Sequence, residues 1–532
     1  MLSHAPVTSG HAASGYYKAE GYYLADSLEA EQSAIYHGKS AKEAGLDGRI
    51  DDADFTRLLE GHTPDGRILG RHRGGERQHR SGKDHTFSAP KSASLLALVG
   101  EYRRISEAHT EAVKAALDYA EANLVQTRRS INGETVIQSG GKIIAGLFQH
   151  DSSRALDPQL HTHAVLTTIV KDTDGVYRTL HNDRVFNSTK FLGRVYRNEF
   201  AQRLEQLGYG IERSRDGLFE IQGVSRDLID QFSKRSAEIK EALLATGRDR
   251  TTKNSDLAAL ATRARKKPVE RTELKAAWRS EVKSLCYDID QVLAESRRSP
   301  PTHIEDRSEL ATRAVDFAVT HLAERNAVYS HTAVIDAALS FAPTVSANAA
   351  EQELKFQAQA GVLYPVTRGG ELHYTDVENV RLETENVDMA KGRSRRAVMD
   401  MRTAYQKNLT TRSSDSSVKK ALADSALTAG QRDAAAMVLS SVGGVVGVQG
   451  YAGSGKTYML ETASRLAHSR GYAIDGIAPS HKAVTALAEA IPNSRTVQSL
   501  LTAHESGANL GDKSRAILVV DEASMLSSEG MN

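Results

Sequence analysis

Three histidines stand where an imidazole cluster can form. His161 and His163 are one residue apart in the run LHTHAVL, and His150 ends the apolar stretch KIIAGLFQH. Alternate residues of an extended strand share a face, so His161 and His163 project together while Thr162 points away. The connection from Asp151 to Leu160, with Asp157-Pro158 and Arg154, can turn back as a loop and set His150 on the neighbouring strand. Such a triplet reads as a divalent-metal site. The competing reading is coincidence, since with 19 histidines an accidental HxH is not rare.

Near the start, Tyr16-Tyr17 and Tyr22-Tyr23 form two doublets in a polar, glycine-punctuated segment where four packed tyrosines make little sense as core. A phenol oxygen can instead attack phosphorus and leave a phosphotyrosine that stores the energy of the cleaved bond. With a pKa of ~10, only about one phenol in a thousand is ionised at neutral pH. A metal that polarises the phosphate and a carboxylate that orients or takes the proton answer that difficulty.

A third constellation lies toward the C-terminus. The apolar run VVGVQG, expected to be a strand, leads into GYAGSGKT and then a helix, which is the P-loop pattern in its strand-loop-helix context. Glycines such as Gly450, Gly453 and Gly455, with Ser454, let backbone N–H groups turn inward around phosphates, Lys456 reaches the outer phosphates, and Thr457 ligates magnesium. A second strand, AILVV, ends in Asp521-Glu522, the acidic pair expected at the magnesium-water shell. ATP with magnesium is therefore the expected ligand.

Behind these residues stand ordinary globular statistics. The chain has 532 residues, 40% hydrophobic and 25% charged, enough for two to four domains and unlike a disordered protein. One cysteine, Cys286, excludes an intrachain disulfide framework and any cysteine-based zinc finger, so a metal must sit on histidine and carboxylate. No run reaches the ~18 apolar residues of a membrane helix, and the first thirty residues are not signal-like, so a cytoplasmic protein is expected. The net charge of +1 carries no global basic signature. Nucleic-acid contact must come from local patches, of which Arg71 to Lys83 (RHRGGERQHRSGK), read as a mobile loop, and Arg263 to Arg271 (RARKKPVER) stand out.

The elements that position these residues follow from periodicity. Apolar residues from Ile105 to Val125 recur at helical spacing, whereas Asn132-Gly133, Asp174-Gly175 and Asp216-Gly217 separate strand-like runs. Tight hairpins at the first two need positive φ at both central positions. Ser88 is expected to cap the helix opening SAPKSASLLALV, and Arg194 to Leu207 forms a helix ended by Gly208. The N-terminal domain is thus α+β, an antiparallel sheet with flanking helices and the histidines on its central strands. Residues of about 225 to 300 are helical and charged. Past Ser299-Pro300-Pro301-Thr302 come amphipathic helices, the strand-like GVLYPVTRGG and ELHYTD, and a serine/threonine linker from Thr410 to Ser417.

Taken together, the tyrosine doublets, DHTFSAPKS from Asp84, and His150 with HTH at 161 to 163 resemble the MobF conjugative relaxases, the TrwC/TraI-like members of the HUH endonuclease group. The resemblance covers about the first 290 residues. It implies a palm-and-fingers fold, Tyr16 as first nucleophile, Tyr22 as nucleophile of the second transfer, and Tyr17 and Tyr23 as auxiliaries. It also implies that Asp84 hydrogen-bonds a metal histidine and assists the tyrosine, with His150, His161 and His163 as ligands. The implied reaction is strand-specific transesterification at a transfer origin, leaving a 5′-phosphotyrosyl strand and a free 3′-hydroxyl. Single-stranded and hairpin DNA are the implied substrates, with Arg71, Arg73, Arg77, Arg80, Lys83 and Arg154 as candidate contacts. Relaxosome accessory proteins, a coupling protein and a type IV secretion system are the implied partners. The ion is expected to be magnesium or manganese, while three imidazoles also suit zinc or nickel.

Gln431 in LTAGQRDA, APSHKAV and TVQSLL resemble early motifs of RecD-type superfamily 1 helicases, which implies that Gln431 contacts adenine. The chain stops at Asn532, ten residues after Glu522, so an incomplete RecA-like domain with little or no ATPase or unwinding activity is expected. The expected organisation is a relaxase domain over residues 1–295, an accessory region over 296–415 and a P-loop domain over 416–532. Two other readings stay open: an ATP-dependent helicase or ATPase fragment in which the histidine domain only positions DNA, and a non-catalytic DNA-binding remnant.

Overall fold

A computed structural model of the chain describes residues 2–7, 34–46, 48–73, 76–214, 217–247, 249, 251, 254–255, 257–258, 270–297, 307–388, 415–440, 445–451, 453–507 and 516–526. Tyr16, Tyr17, Tyr22 and Tyr23 lie outside the described residues, as does the basic run up to Lys267. Contacts divide the chain into two units. One comprises Met1–Ala318, Thr332–Phe356 and Thr367–Glu371; the other comprises Val319–His331, Gln357–Val366 and Leu372–Asn532.

Among the described residues of the first 180, ten strands organise the chain: β1 (Leu2–Val7), β2 (Ala34–His37), β3 (Arg71–Arg73), β4 (Glu76–Gln78), β5 (Gly82–Ser88), β6 (Gln126–Ile131), β7 (Glu134–Ser139), β8 (Lys142–Ser152), β9 (Pro158–Lys171) and β10 (Tyr177–Thr179). Six of them make one antiparallel sheet in the order β1-β5-β9-β8-β2, with β10 also on β9. The two long central strands are buried over most of their length because both sheet faces are covered. On one face the helices Arg103–Asn123 and Thr189–Gln206 pack together, with Phe87 edge-on to Tyr196 at 5.3 Å. The other face holds Tyr36, Phe55, Leu58, Ile144, Phe148, Val165 and Ile169, where the Asp52–Leu59 helix seals the core. Gly146 lies directly under Phe55, since a Cβ there would meet the ring at 2.7 Å.

The long helix forms where its stripe requires, over Arg103–Asn123, and Gly208 closes the Thr189–Gln206 helix with φ +89°. Asn132 and Gly133 both take positive φ between β6 and β7. At Asp174-Gly175 only the glycine does, because the Asp172 carboxylate accepts the N–H groups of Asp174 and Val176 and shapes the turn instead. Ser88 is no helix cap: it pairs with His161 at the end of β5, and the helix begins at Lys91 behind Pro90. The stretch read as a mobile basic loop contains a paired ribbon, β3 with β4; Gly74-Gly75 between two short runs is a hairpin signal that charge counting passes over.

Farther along, β11 (Ile211–Arg213) pairs with β12 (Phe219–Ile221), and the helices Arg226–Gln231, Lys234–Ala245, Arg271–Ser284 and Ile289–Ser296 follow. β13 (Tyr329–Ser330), β14 (Leu363–Arg368) and β15 (Glu371–Asp376) include both strand-like stretches. Of the expected linker, Asp415 to Ser417 opens the helix Asp415–Ala423 instead, because Val418 and Leu422, one turn apart, bury against Ala435 and Met459. A parallel sheet of β16 (Ala473–Ala478), β17 (Ser494–Thr496) and β18 (Ala516–Val520) follows in the order β17-β16-β18. Residues 445–450, expected as a strand, have no ladder among the described residues and leave Val445 57% exposed. Two glycines in six residues give that segment little strand propensity without a neighbour beside it.

Two buried histidines set an acid limit on this fold. His109 is fully enclosed, bonded to Tyr196 Oη at 2.8 Å and Thr162 Oγ1 at 2.9 Å, and burial holds its pKa down at about 3. Burial also pulls His85 down to about 4 against the opposing pull of Asp84. The unfolded chain, with values near 6.5, therefore binds more protons than the folded one below that pH, and stability falls as pH falls. Urea melts at pH 7.5 and pH 5 are expected to show the loss, roughly 1.4 kcal/mol per pH unit for each histidine; equal midpoints contradict it.

Candidate functional site

The β8–β9 register makes the histidine cluster. His150 pairs directly opposite His161, and Phe148 opposite His163, so the three imidazoles share one face at the end of its apolar core. Ring centroids lie 5.2 Å apart for His150–His161, 4.9 Å for His150–His163 and 5.2 Å for His161–His163. One ring nitrogen from each falls within 4.8 Å of the others. The strands run farther than the expected long loop: β8 continues to Ser152, β9 starts at Pro158, and the chain reverses through a short turn.

Hydrogen bonds on the outer ring nitrogens set the tautomers. His161 Nδ1 lies 2.8 Å from the Gln159 carbonyl, which only accepts, so Nδ1 carries the proton and Nε2 offers its lone pair. His163 Nδ1 lies 2.7 Å from Asp84 Oδ2, with both side chains largely buried. Asp84 reaches it diagonally: its neighbour on β5, Thr86, is the residue opposite His163. Asp84 thus hydrogen-bonds one of the three clustered histidines, and that histidine is His163. Thr86 was not expected; its hydroxyl lies 3.2 Å from His163 Nδ1 and 3.4 Å from Asp84 Oδ1. The period-2 spacing of Asp84 and Thr86 in DHT carried that signal.

The candidate DNA contacts scatter. Arg71, Arg73 and Arg77 lie on the β3–β4 ribbon, Arg80 is exposed beyond it, and Arg154 sits in the turn between the histidine strands. Lys83 alternates with Asp84 along β5, and its ammonium rests 3.7 Å from the centre of the Phe186 ring, where burial lowers its pKa.

In the second unit the P-loop glycines Gly453 and Gly455 take φ of +77° and +74°, the left-handed geometry that turns successive N–H groups to one side. Lys456 opens the Lys456–His468 helix and donates to the carbonyls of Gly450 at 2.8 Å and Tyr451 at 3.3 Å; Thr457 follows it. Gln431 is tied to the same loop, donating to the Ser454 carbonyl at 2.8 Å while accepting the Thr428 N–H at 2.9 Å. Asp521 and Glu522 follow β18 at the carboxyl end of the parallel sheet, where such folds bind ligands.

Comparison with known proteins puts a frame around this geometry. Residues 9–285 match the TrwC relaxase family model, just over half of the chain. The chain belongs to the TrwC relaxase family. Residues 426–532 match an AAA domain, so a nucleotide-binding domain follows the relaxase domain. Two multifunctional conjugation proteins TraI, from Escherichia coli and Escherichia coli strain K12, are each 35% identical over 387 residues, covering 69% of this chain. The chain spans 21% of their length. Two solved structures of the conjugative relaxase TrwC in complex with OriT DNA, one metal-free and one copper-bound, are 38% identical with TM-scores of 0.50; they cover 54% of this chain and are themselves wholly covered. The little or no ATPase or unwinding activity expected of the incomplete P-loop domain finds no support among these similarities.

The bond from Asp84 to His163 has a measurable consequence. Asp84→Ala in the relaxase domain removes the acceptor that fixes the His163 tautomer, so affinity for Mn²⁺ is expected to fall about 10- to 100-fold by calorimetric titration. Unchanged affinity would show that the carboxylate does not orient the ligand.

Proposed function

We propose that this chain is a conjugative relaxase that nicks one DNA strand at a transfer origin through a tyrosyl intermediate and rejoins it after transfer. The convergence of three imidazoles with Asp84 behind His163 carries the reading. A surface coincidence of histidines would not have two ring nitrogens held by internal acceptors, one of them the buried Asp84 carboxylate, nor a third imidazole from the neighbouring strand. The donor set suits a divalent cation, and the copper-bound TrwC structure supports that for a relative. Imidazole affinity rises toward copper in the first-row series, so three histidines favour manganese, nickel, zinc or copper over magnesium. When bound, the ion supplies charge against the non-bridging oxygens of the scissile phosphate.

The remaining chemistry belongs to side chains. Tyr16 Oη bonds to phosphorus as the bond from phosphorus to the 3′ oxygen breaks, giving a 5′-phosphotyrosyl strand and a free 3′-hydroxyl. The phenol proton passes to a base, for which Asp84 is the candidate carboxylate, and an equivalent proton is returned from that acid or from solvent to the departing 3′ oxygen. Because one phosphodiester replaces another, resealing needs no nucleotide. Tyr22 performs the second transfer, with Tyr17 and Tyr23 as auxiliaries. Arg71, Arg73, Arg77, Arg80 and Arg154 are proposed to neutralise phosphates of single-stranded or hairpin DNA, with affinity falling as salt rises. The AAA domain binds ATP with magnesium through Gly450, Gly453, Ser454, Gly455, Lys456 and Thr457, with Asp521 and Glu522 at the water shell. Relaxosome accessory proteins, a coupling protein and a type IV secretion system are inferred as partners, and the cytoplasm as the place of action, from family membership alone. A relaxase domain over residues 1–295 and a P-loop domain over 416–532, joined through residues 296–415, fit this division of labour.

The test uses single-stranded oligonucleotides tiling the DNA around the chain's own gene, incubated with the full chain and Mn²⁺. One strand is expected to yield an adduct that survives SDS, and Tyr16→Phe to abolish it. Lys456→Ala is expected to leave the adduct unchanged. An adduct that depends on Lys456 instead would favour the nucleotide-driven reading, and no adduct with any strand or metal would refute the relaxase.

A further inference from the structure

The hairpin that carries all three histidines is gripped from outside at its closed end. The turn Ser153–Asp157 closes on itself, with Ser153 N–H donating to the Asp157 carbonyl at 2.8 Å and Leu156 N–H to the Ser153 carbonyl at 3.0 Å. It still leaves Leu156 at φ +60°, a conformation unfavourable for a branched L residue. Directly before the turn, the β8–β9 register shifts between His150 and Ser152, so Asp151 sits at the irregularity beside a histidine. A bulge of this kind bends its strand and is free to twist unless something holds it.

Both weak points are held by one helix, Arg271–Ser284. Trp278, the only tryptophan of the chain and 3% exposed, donates its indole N–H to the Leu156 carbonyl at 2.7 Å. Arg271, seven residues earlier and so on the same helix face, pairs its Nε with Asp151 Oδ2 at 2.7 Å. Lys91 Nζ adds a bond to the Pro158 carbonyl at 2.9 Å, and Lys234 Nζ lies 3.7 Å from the buried Asp157 carboxylate.

We propose that the Arg271–Ser284 helix is a splint for the histidine centre, with Trp278 and Arg271 as positioning residues that fix His150 against His161 and His163. The inference rests on the metal-centre reading above. Metal ligands must hold their distances to within about 0.2 Å, so slack at the bulge reaches the centre directly. Neither residue touches the reacting atoms; each acts through the backbone of the hairpin.

Charge makes the experiment decisive. Removing the Arg271 cation would, by electrostatics alone, strengthen binding of another cation nearby. If Arg271 positions the hairpin, Arg271→Gln weakens it instead. The full chain, Arg271→Gln, Arg271→Lys, Trp278→Phe and His163→Ala are titrated with Co²⁺ alone, following heat and the visible Co²⁺ absorption band. Expected are a roughly tenfold weaker Kd and an altered band for Arg271→Gln and Trp278→Phe, with recovery toward wild type in Arg271→Lys. Unchanged Kd and band in Arg271→Gln overturn the splint, whatever Trp278→Phe does to the fold. Wild-type uptake no different from His163→Ala overturns the metal centre, and the splint with it.

Discussion

Everything at the histidine centre depends on one strand register. His150 faces His161 because β8 and β9 pair as they do, and a slip of either strand by a single residue would put His150 on the opposite face from His161 and His163. The register is enforced by shape as well as by hydrogen bonds. Gly146 admits the Phe55 ring where any side chain would collide, and Gly82 passes the Leu166 carbonyl just as closely on the other side of β9. Alternate residues of β9 then take opposite duties. His161 and His163 face the centre, while Thr162 between them is bonded to His109 within the helical layer. A buried polar contact behind the strand keeps the strand from rotating, and both faces are fixed by the same residues in turn.

The two regions proposed to handle phosphate use different physics for similar ends. The histidine face concentrates side-chain donors on a rigid sheet, with tautomers set by a carbonyl and a carboxylate. The P-loop relies on backbone, and its two left-handed glycines are the part that no side-chain donor can replace. Gln431 belongs to that backbone arrangement, since its amide joins the start of its own helix to the loop.

How much of this was readable beforehand follows from the range of the interactions. Period-2 spacing showed that His161 and His163 share a face, and DG, NG and glycine-ended helices marked most turns, because those signals are local. The partner of Asp84 was not local: 79 residues separate it from His163, and only the β5–β9 pairing joins them. Ser88 was misread because a serine before an apolar run looks the same whether it caps a helix or ends a strand. The ribbon at Arg71 to Gln78 was misread because charge says nothing of pairing. Trp278 and Arg271 gave no signal at all, since a tryptophan on a charged helix reads as core until the carbonyl it meets is known.

The short chain distance between the histidines has a consequence in time. Fourteen residues hold all three, and the strand that supplies Asp84 is made before them, so a growing chain possesses the whole centre once His163 is synthesised. Antiparallel hairpins close on a microsecond scale, while translation adds about 5–20 residues each second. Arg271 and Trp278 arrive more than a hundred residues later. If the Arg271–Ser284 helix is the splint proposed above, the centre is completed in two stages, a cluster first and a braced one afterwards. An ion taken up early would be held by a hairpin that has yet to receive its brace.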